Sequence, residues 1–178
     1  MGVNRPAASS VALLAEAYLD AVGQGQGIAA AERYFHRDVL YIVNGPTSPV
    51  DDMGLPALSG ELHAALPWLG VYRGLDAVRG FLAHMHANLE VTGFGPRAAV
   101  GDQRRAAVFG WFALRSRSTG REARIAFSVL VEGRAGKISR YQFLENTFDV
   151  ATAFQIGGGW SFAVDGTTSA VPVGRREP

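Results

Sequence analysis

The chain has 178 residues and a mass of 19.0 kDa, a length that predicts one domain with a core of its own. Hydrophobic residues make up 48% and charged residues 19%, which excludes a disordered chain, and no apolar run approaches the ~20 residues that cross a bilayer. A formal charge of +1 excludes a binder of phosphate backbones, and the absence of cysteine excludes disulfides, iron–sulfur clusters and thiol catalysis.

Glu16 and Asp20 interrupt the first apolar stretch, so the start does not read as a signal peptide and a cytoplasmic setting is expected. Lys137 is the only lysine beside sixteen arginines. It sits in a turn-like Gly136-Lys137, and Schiff-base chemistry is set aside.

In chain order, Ser9 or Ser10 caps a helix from about Val11 to Val22, whose stripe includes Leu14, Tyr18 and Ala21. Glycines 23, 25 and 27 end it. A short helix over Ile28–His36 precedes a strand at Val39–Val43. Residues 45–70, broken by Pro46, Pro49, Pro56 and Pro67, read as a long loop with one helical turn near Glu61–Ala65. After Gly74 a third helix carries Val78, Phe81, Leu82, Met85 and Leu89 on one face. Strands follow: Arg104–Ser118 and Glu122–Glu132 around the hairpin Ser118-Thr119-Gly120, then Ile138–Thr147 after a turn at 133–137. Gly157–Gly159 reads as a hinge before a possible short strand at Trp160, Phe162 and Val164, and Arg175–Pro178 as a frayed end. This order predicts an α+β fold with helices on one face of a curved antiparallel sheet.

Val108–Leu114 and Ile125–Val131 are apolar at nearly every position, whereas a sheet with one wet face alternates. Both faces therefore call for cover. A homodimer through the outer face is expected, the alternative being cover by the C-terminal tail.

Three motifs carry a resemblance. Leu66-Pro67-Trp68-Leu69-Gly70-Val71-Tyr72-Arg73-Gly74 with Asp76-Ala77-Val78 and Phe81 resembles the approach to the third helix of SnoaL-like proteins. Gly136-Lys137-Ile138-Ser139-Arg140-Tyr141 resembles the start of their last strand. Glu145-Asn146-Thr147 with Val150-Ala151 and Ala153-Phe154 resembles its exit. These polyketide cyclase relatives belong to the nuclear transport factor 2-like superfamily, with ketosteroid isomerases and limonene-type epoxide hydrolases. The resemblance covers roughly residues 9–155 and implies a cone of three helices on a strongly bent antiparallel sheet around an apolar pocket, in a domain of residues 1–155 with 156–178 as a C-terminal extension. It implies frequent dimers, and little about chemistry, because the fold hosts many reactions.

Carried over residue by residue, Tyr18 falls where ketosteroid isomerases place an oxyanion-stabilising tyrosine; the alternative is a core tyrosine. The isomerase acids should fall near Val43 or Asn44 and near Ser128, and neither is acidic. The acid six residues after the turn lysine in several relatives is Phe143 here. Two positions on, and on the same strand face, stands Glu145. Desolvated at the rim of an apolar cone, it would serve as general acid or base; the alternative is an exposed rim glutamate.

Tyr141 shares that face, and Asn44 can position an oxygen atom. Trp68 and Tyr72 either stack on a flat substrate or pin the loop. His84 and His86 flank the third-helix stripe and either reach the pocket or stay solvated, His84 being counted with the pocket. Phe81, Phe112, Ser128 and Phe143 complete the expected substrate contacts. No spacing suggests zinc or iron, and no dinucleotide or phosphate loop occurs. The expectation is therefore a cofactor-free enzyme of SnoaL type acting on a small apolar carbonyl or epoxide compound by cyclisation, dehydration or isomerisation. The alternative is a non-catalytic binder, or a dimeric interaction protein of the same fold.

Overall fold

Helix α1 (Ser10–Gly23) buries Val11, Ala15, Tyr18 and Leu19, spaced i, i+4, i+7 and i+8 so that they share one face. Gly25, at φ 74°, turns the chain into α2 (Gly27–Tyr34), which buries Ala30 and Ala31. The computed structural model describes residues 10–46, 57–95 and 97–157, and the backbone of 160–162 and 171–173. The expected cap at Ser9, the proline-bearing stretch 47–56, Gly158 and Gly159, Val164 and the Arg175–Pro178 end lie outside the described residues, as does the side chain of Ser10.

Strand β1 (Phe35–Val43) begins earlier than expected, because Phe35 already pairs with Ile138 and ends α2 in an extended conformation. In the expected loop, α3 (Gly60–Ala65) is capped by Ser59, whose hydroxyl accepts from the Leu62 amide at 3.1 Å. Then come β2 (Gly70–Arg73), paired with β1, and α4 (Leu75–Asn88), which buries Val78, Phe81 and Leu82. The chain continues through β3 (Leu89–Phe94), β4 (Ala98–Gly101), β5 (Arg105–Ser116), β6 (Glu122–Arg134) and β7 (Lys137–Glu145). Ala135 and Gly136, both at positive φ, form the tight turn between β6 and β7. Helix α5 (Thr147–Phe154) follows, and β8 (Trp160–Phe162) pairs with β9 (Val171–Val173) in a separate ribbon.

The main sheet runs β2-β1-β7-β6-β5-β3, with β4 beside the start of β5. The antiparallel expectation holds at every pair but one: β1 and β7 are parallel. After β1 the chain passes the helices and returns through the meander, so its last strand lies beside its first and points the same way. The sheet is therefore mixed. Helices α1, α2 and α4 are the three expected against its concave face, and two short ones add to them. Of these, α5 occupies the place where the last strand was expected to end, because Asn146 leaves the ladder and Val150 N–H returns to the Asn146 carbonyl.

Side chains alternate cleanly across the strands. Ile125, Phe127, Val129 and Val131 of β6 point inward with Val108, Phe112 and Leu114 of β5, all buried. Gly133 lets α1 approach β6, since a Cβ there would lie 2.6 Å from a Val11 methyl. The opposite face carries Phe109, Leu130 and Leu144, which are 48%, 37% and 40% exposed.

Candidate active site

Between the concave sheet and the helices α1 and α4 lies a small, open-mouthed cavity of ≈ 80 Å³. From α1 it takes Tyr18, Leu19 and Val22; from α4, Phe81, Leu82, Met85 and His86. The sheet supplies Tyr41 and Val43 of β1, Phe94 of β3, Phe112 of β5, and Tyr141, Phe143 and Glu145 of β7. Tyr141, Phe143 and Glu145 line it together because residues two apart on a strand share a face.

Among the described residues, Glu145 is the only acid in this wall. Loss of water around its carboxyl raises its pKa from the ordinary 4.5 to about 7, since burial penalises the charged form. Its backbone is held from two sides. The Glu145 N–H donates to Asn44 Oδ1 at 2.9 Å, and the Thr147 hydroxyl donates to the Glu145 carbonyl at 3.3 Å.

Three tyrosines face the same space and form one aromatic cluster. Tyr141 stacks on Tyr41 at 4.8 Å and meets Tyr18 edge-on at 5.2 Å. All three are buried, and burial pushes each phenol well above its usual range. They remain neutral hydrogen-bond donors at any physiological pH. The Tyr18 hydroxyl is buried beside that of Tyr41 but forms no well-aligned hydrogen bond among the described residues, a cost that a bound oxygen atom would remove.

Of the residues expected from sequence, Glu145, Tyr18, Tyr141, Phe81, Phe112 and Phe143 meet in this cavity. The others do not. Asn44, at φ 60°, turns away from the space: its amide donates to Thr147 Oγ1 at 3.0 Å and its oxygen accepts from the Glu145 N–H at 2.9 Å. Trp68 is buried against Phe154 at 5.0 Å and His84 at 6.3 Å, and Tyr72 donates its hydroxyl to the Trp68 carbonyl at 2.5 Å. Both aromatics pin the loop, because the bulky indole fills the gap under α5. Ser128 faces outward between Phe109 and Leu144, by strand parity.

The histidine of the wall is His86, and His84 is exposed beside Asn88. At 100° per residue from Val78, His86 lies about 80° from the stripe's axis and His84 about 120° on the other side. That signal was in the sequence. Tyr41 was also missed, because every residue of Val39–Val43 is apolar or aromatic and period 2 cannot pick the inward face. Its neighbour Ile42, fully buried on the opposite side, has the same hydropathic character.

The model of the SnoaL-like domain matches residues 15–141. The chain belongs to the SnoaL-like domain family. Among solved structures it is similar to a nuclear transport factor 2-like protein of unknown function from Burkholderia pseudomallei, with a TM-score of 0.62, 15% identity, and 80% of this chain and 95% of that one covered. It is also similar to a proposed isomerase from Bacillus subtilis (TM-score 0.62, 14% identity, 82% and 92% covered). A third is a candidate polyketide cyclase from Xanthomonas campestris (TM-score 0.61, 14% identity, 80% and 94% covered). At such identities the likeness shows the fold: an α+β cone of the nuclear transport factor 2-like type. No curated protein matches the sequence. Among the described residues, no helix is long and apolar enough to cross a membrane.

Proposed function

We propose that the cavity carries out general acid–base catalysis on a small, largely apolar molecule bearing a carbonyl or epoxide oxygen, without a cofactor. The observation that carries this reading is Glu145: a single carboxyl in an apolar wall, with its pKa raised to about 7. Near neutral pH such a group exists in both protonation states, so it can take a proton and return it. Neutral tyrosine hydroxyls at Tyr18, Tyr41 and Tyr141 suit an oxygen on which negative charge develops, and the dry walls strengthen each such contact. Cyclisation, dehydration and isomerisation of an oxygenated metabolite all use these two elements.

The test needs no knowledge of the natural substrate. 5-Nitrobenzisoxazole opens when a base removes its ring C–H proton and the N–O bond breaks, giving 2-cyano-4-nitrophenolate. The wild type should accelerate this reaction with a rate that rises to a plateau above about pH 7. Glu145→Gln should lower it at least a hundredfold with the fold intact. A rate that is the same with and without the carboxyl would reject the assignment and leave a non-catalytic ligand binder. That second reading is favoured by Phe143, which fills the wall where several relatives carry an acid.

The outer sheet face supports pairing of two copies. Phe109, Ser128 and Leu144 stand in one cross-strand row, with Leu130 beside them, and exposed apolar groups so grouped mark an interface.

A further inference from the structure

The cavity does not end in bulk solvent alone. A second, polar recess adjoins it and shares Val22, His86, Leu89 and Val91 as common walls. Its other side chains include Arg115, Arg117, Glu90 and Thr92. Arg115 is already neutralised: it donates to Glu122 through Nε at 3.0 Å and lies 3.7 Å from Glu90, the one carboxylate of the recess among the described residues. Arg117 differs. Its Nε donates to the backbone carbonyl of His86 at 2.8 Å and its amide to that of Asn88 at 2.9 Å. These bonds orient the guanidinium beside the shared wall, and no carboxylate lies within 4.0 Å of it among the described residues. A solvent-exposed guanidinium held by its Nε beside an apolar chamber, with no carboxylate partner among the described residues, fits a substrate with two ends.

The geometry points to an amphipathic anion as the ligand class: an apolar body in the chamber, and an anionic head on Arg117 with His86 at the junction. This rests on the proposed function, whose chamber receives the body, and adds the charged head. Two fluorescent probes with one skeleton separate the two ideas. N-phenyl-1-naphthylamine is the neutral body, and 8-anilinonaphthalene-1-sulfonate is that body with an anion attached. At low salt the wild type should bind the sulfonate more tightly than the neutral probe. Arg117→Gln should weaken the sulfonate about fivefold and leave the neutral probe unchanged, while Arg117→Lys restores part of the loss. Octanoate and octyl phosphate should displace the bound sulfonate better than octanol, and the stronger of the two names the head group. Equal loss for both probes in Arg117→Gln, no loss for either, or displacement by octanol as effective as by the anions would overturn the proposal while the chamber stands. Failure of the neutral probe to bind the wild type would remove the chamber reading and this inference with it.

Discussion

Asn44 and Glu145, 101 positions apart in sequence, are joined at 2.9 Å by a hydrogen bond from the Glu145 amide to the Asn44 side-chain oxygen. Asn44 also donates its amide to Thr147 and its backbone N–H to the Phe143 carbonyl at 2.8 Å. One residue thus ties the end of β1 to the end of β7 and sets where the Glu145 carboxyl enters the cavity. Its φ of 60° is in the left-handed region, which asparagine tolerates better than most residues.

Asn44→Ala is expected to destabilise the protein by about 1–3 kcal/mol, through lost hydrogen bonds and left-handed strain. Asn44→Gly relieves the strain alone, so it should recover part of the stability without recovering activity on 5-nitrobenzisoxazole. Chemical denaturation and the rate assay together check this. Full activity in both variants would show that β7 holds Glu145 unaided.

The raised pKa of Glu145 makes a statement about stability. Unfolded, the carboxyl titrates near its ordinary 4.5; folded, near 7. Between these values the folded state holds the proton more tightly, so stability falls as pH rises through this window and levels off above it. The full penalty is on the order of 3 kcal/mol, from 1.36 kcal/mol per unit. Urea titrations from pH 4 to pH 8 should show this decline in the wild type and its absence in Glu145→Gln. Parallel pH profiles for the two proteins would mean that the carboxyl is solvated.

Tyr18 is expected to trade stability for activity. The buried Tyr18 hydroxyl makes no well-formed hydrogen bond and has only the neighbouring Tyr41 hydroxyl to interact with, so removing it relieves more desolvation than it loses in contacts. Tyr18→Phe should therefore melt at the same temperature as the wild type or slightly higher. On the proposed chemistry it should also slow the opening of 5-nitrobenzisoxazole about tenfold, since phenolate charge develops as the N–O bond breaks. A variant that is less stable and equally active would make Tyr18 a packing residue.

The outer face predicts a particle of twice 19.0 kDa in light scattering. Phe109→Glu, at a half-exposed position in the Phe109–Ser128–Leu144 row, should reduce it to the monomer while the far-ultraviolet circular dichroism stays unchanged. A monomeric wild type would leave that face to another occupant.

Much of this site was legible before any coordinates. Strand parity alone places Tyr141, Phe143 and Glu145 on one side of β7, because a pleated strand offers no other arrangement. Helical spacing likewise brings Tyr18 and Phe81 inward, and it favours His86, about 80° from the stripe's axis, over His84. The sequence leaves Asn44 and Trp68 open for a different reason. Amide and indole side chains suit a ligand and a backbone equally well, and nothing local says which partner is closer.

Composition and periodicity by themselves determined an α+β order of helices on a curved sheet, with Tyr141, Phe143 and Glu145 on one face of the last strand; that this face looks inward was implied by the family resemblance. The element order and the shared face are local properties, set by 3.6- and 2-residue repeats and by turn chemistry. Only the tertiary structure decided that β7 returns parallel to β1, which brings Asn44 under Glu145 and Tyr41 against Tyr141. It also decided that the carboxyl meets mostly apolar walls. Desolvation depends on what the rest of the chain places around a group, and that is a property of the assembled cone.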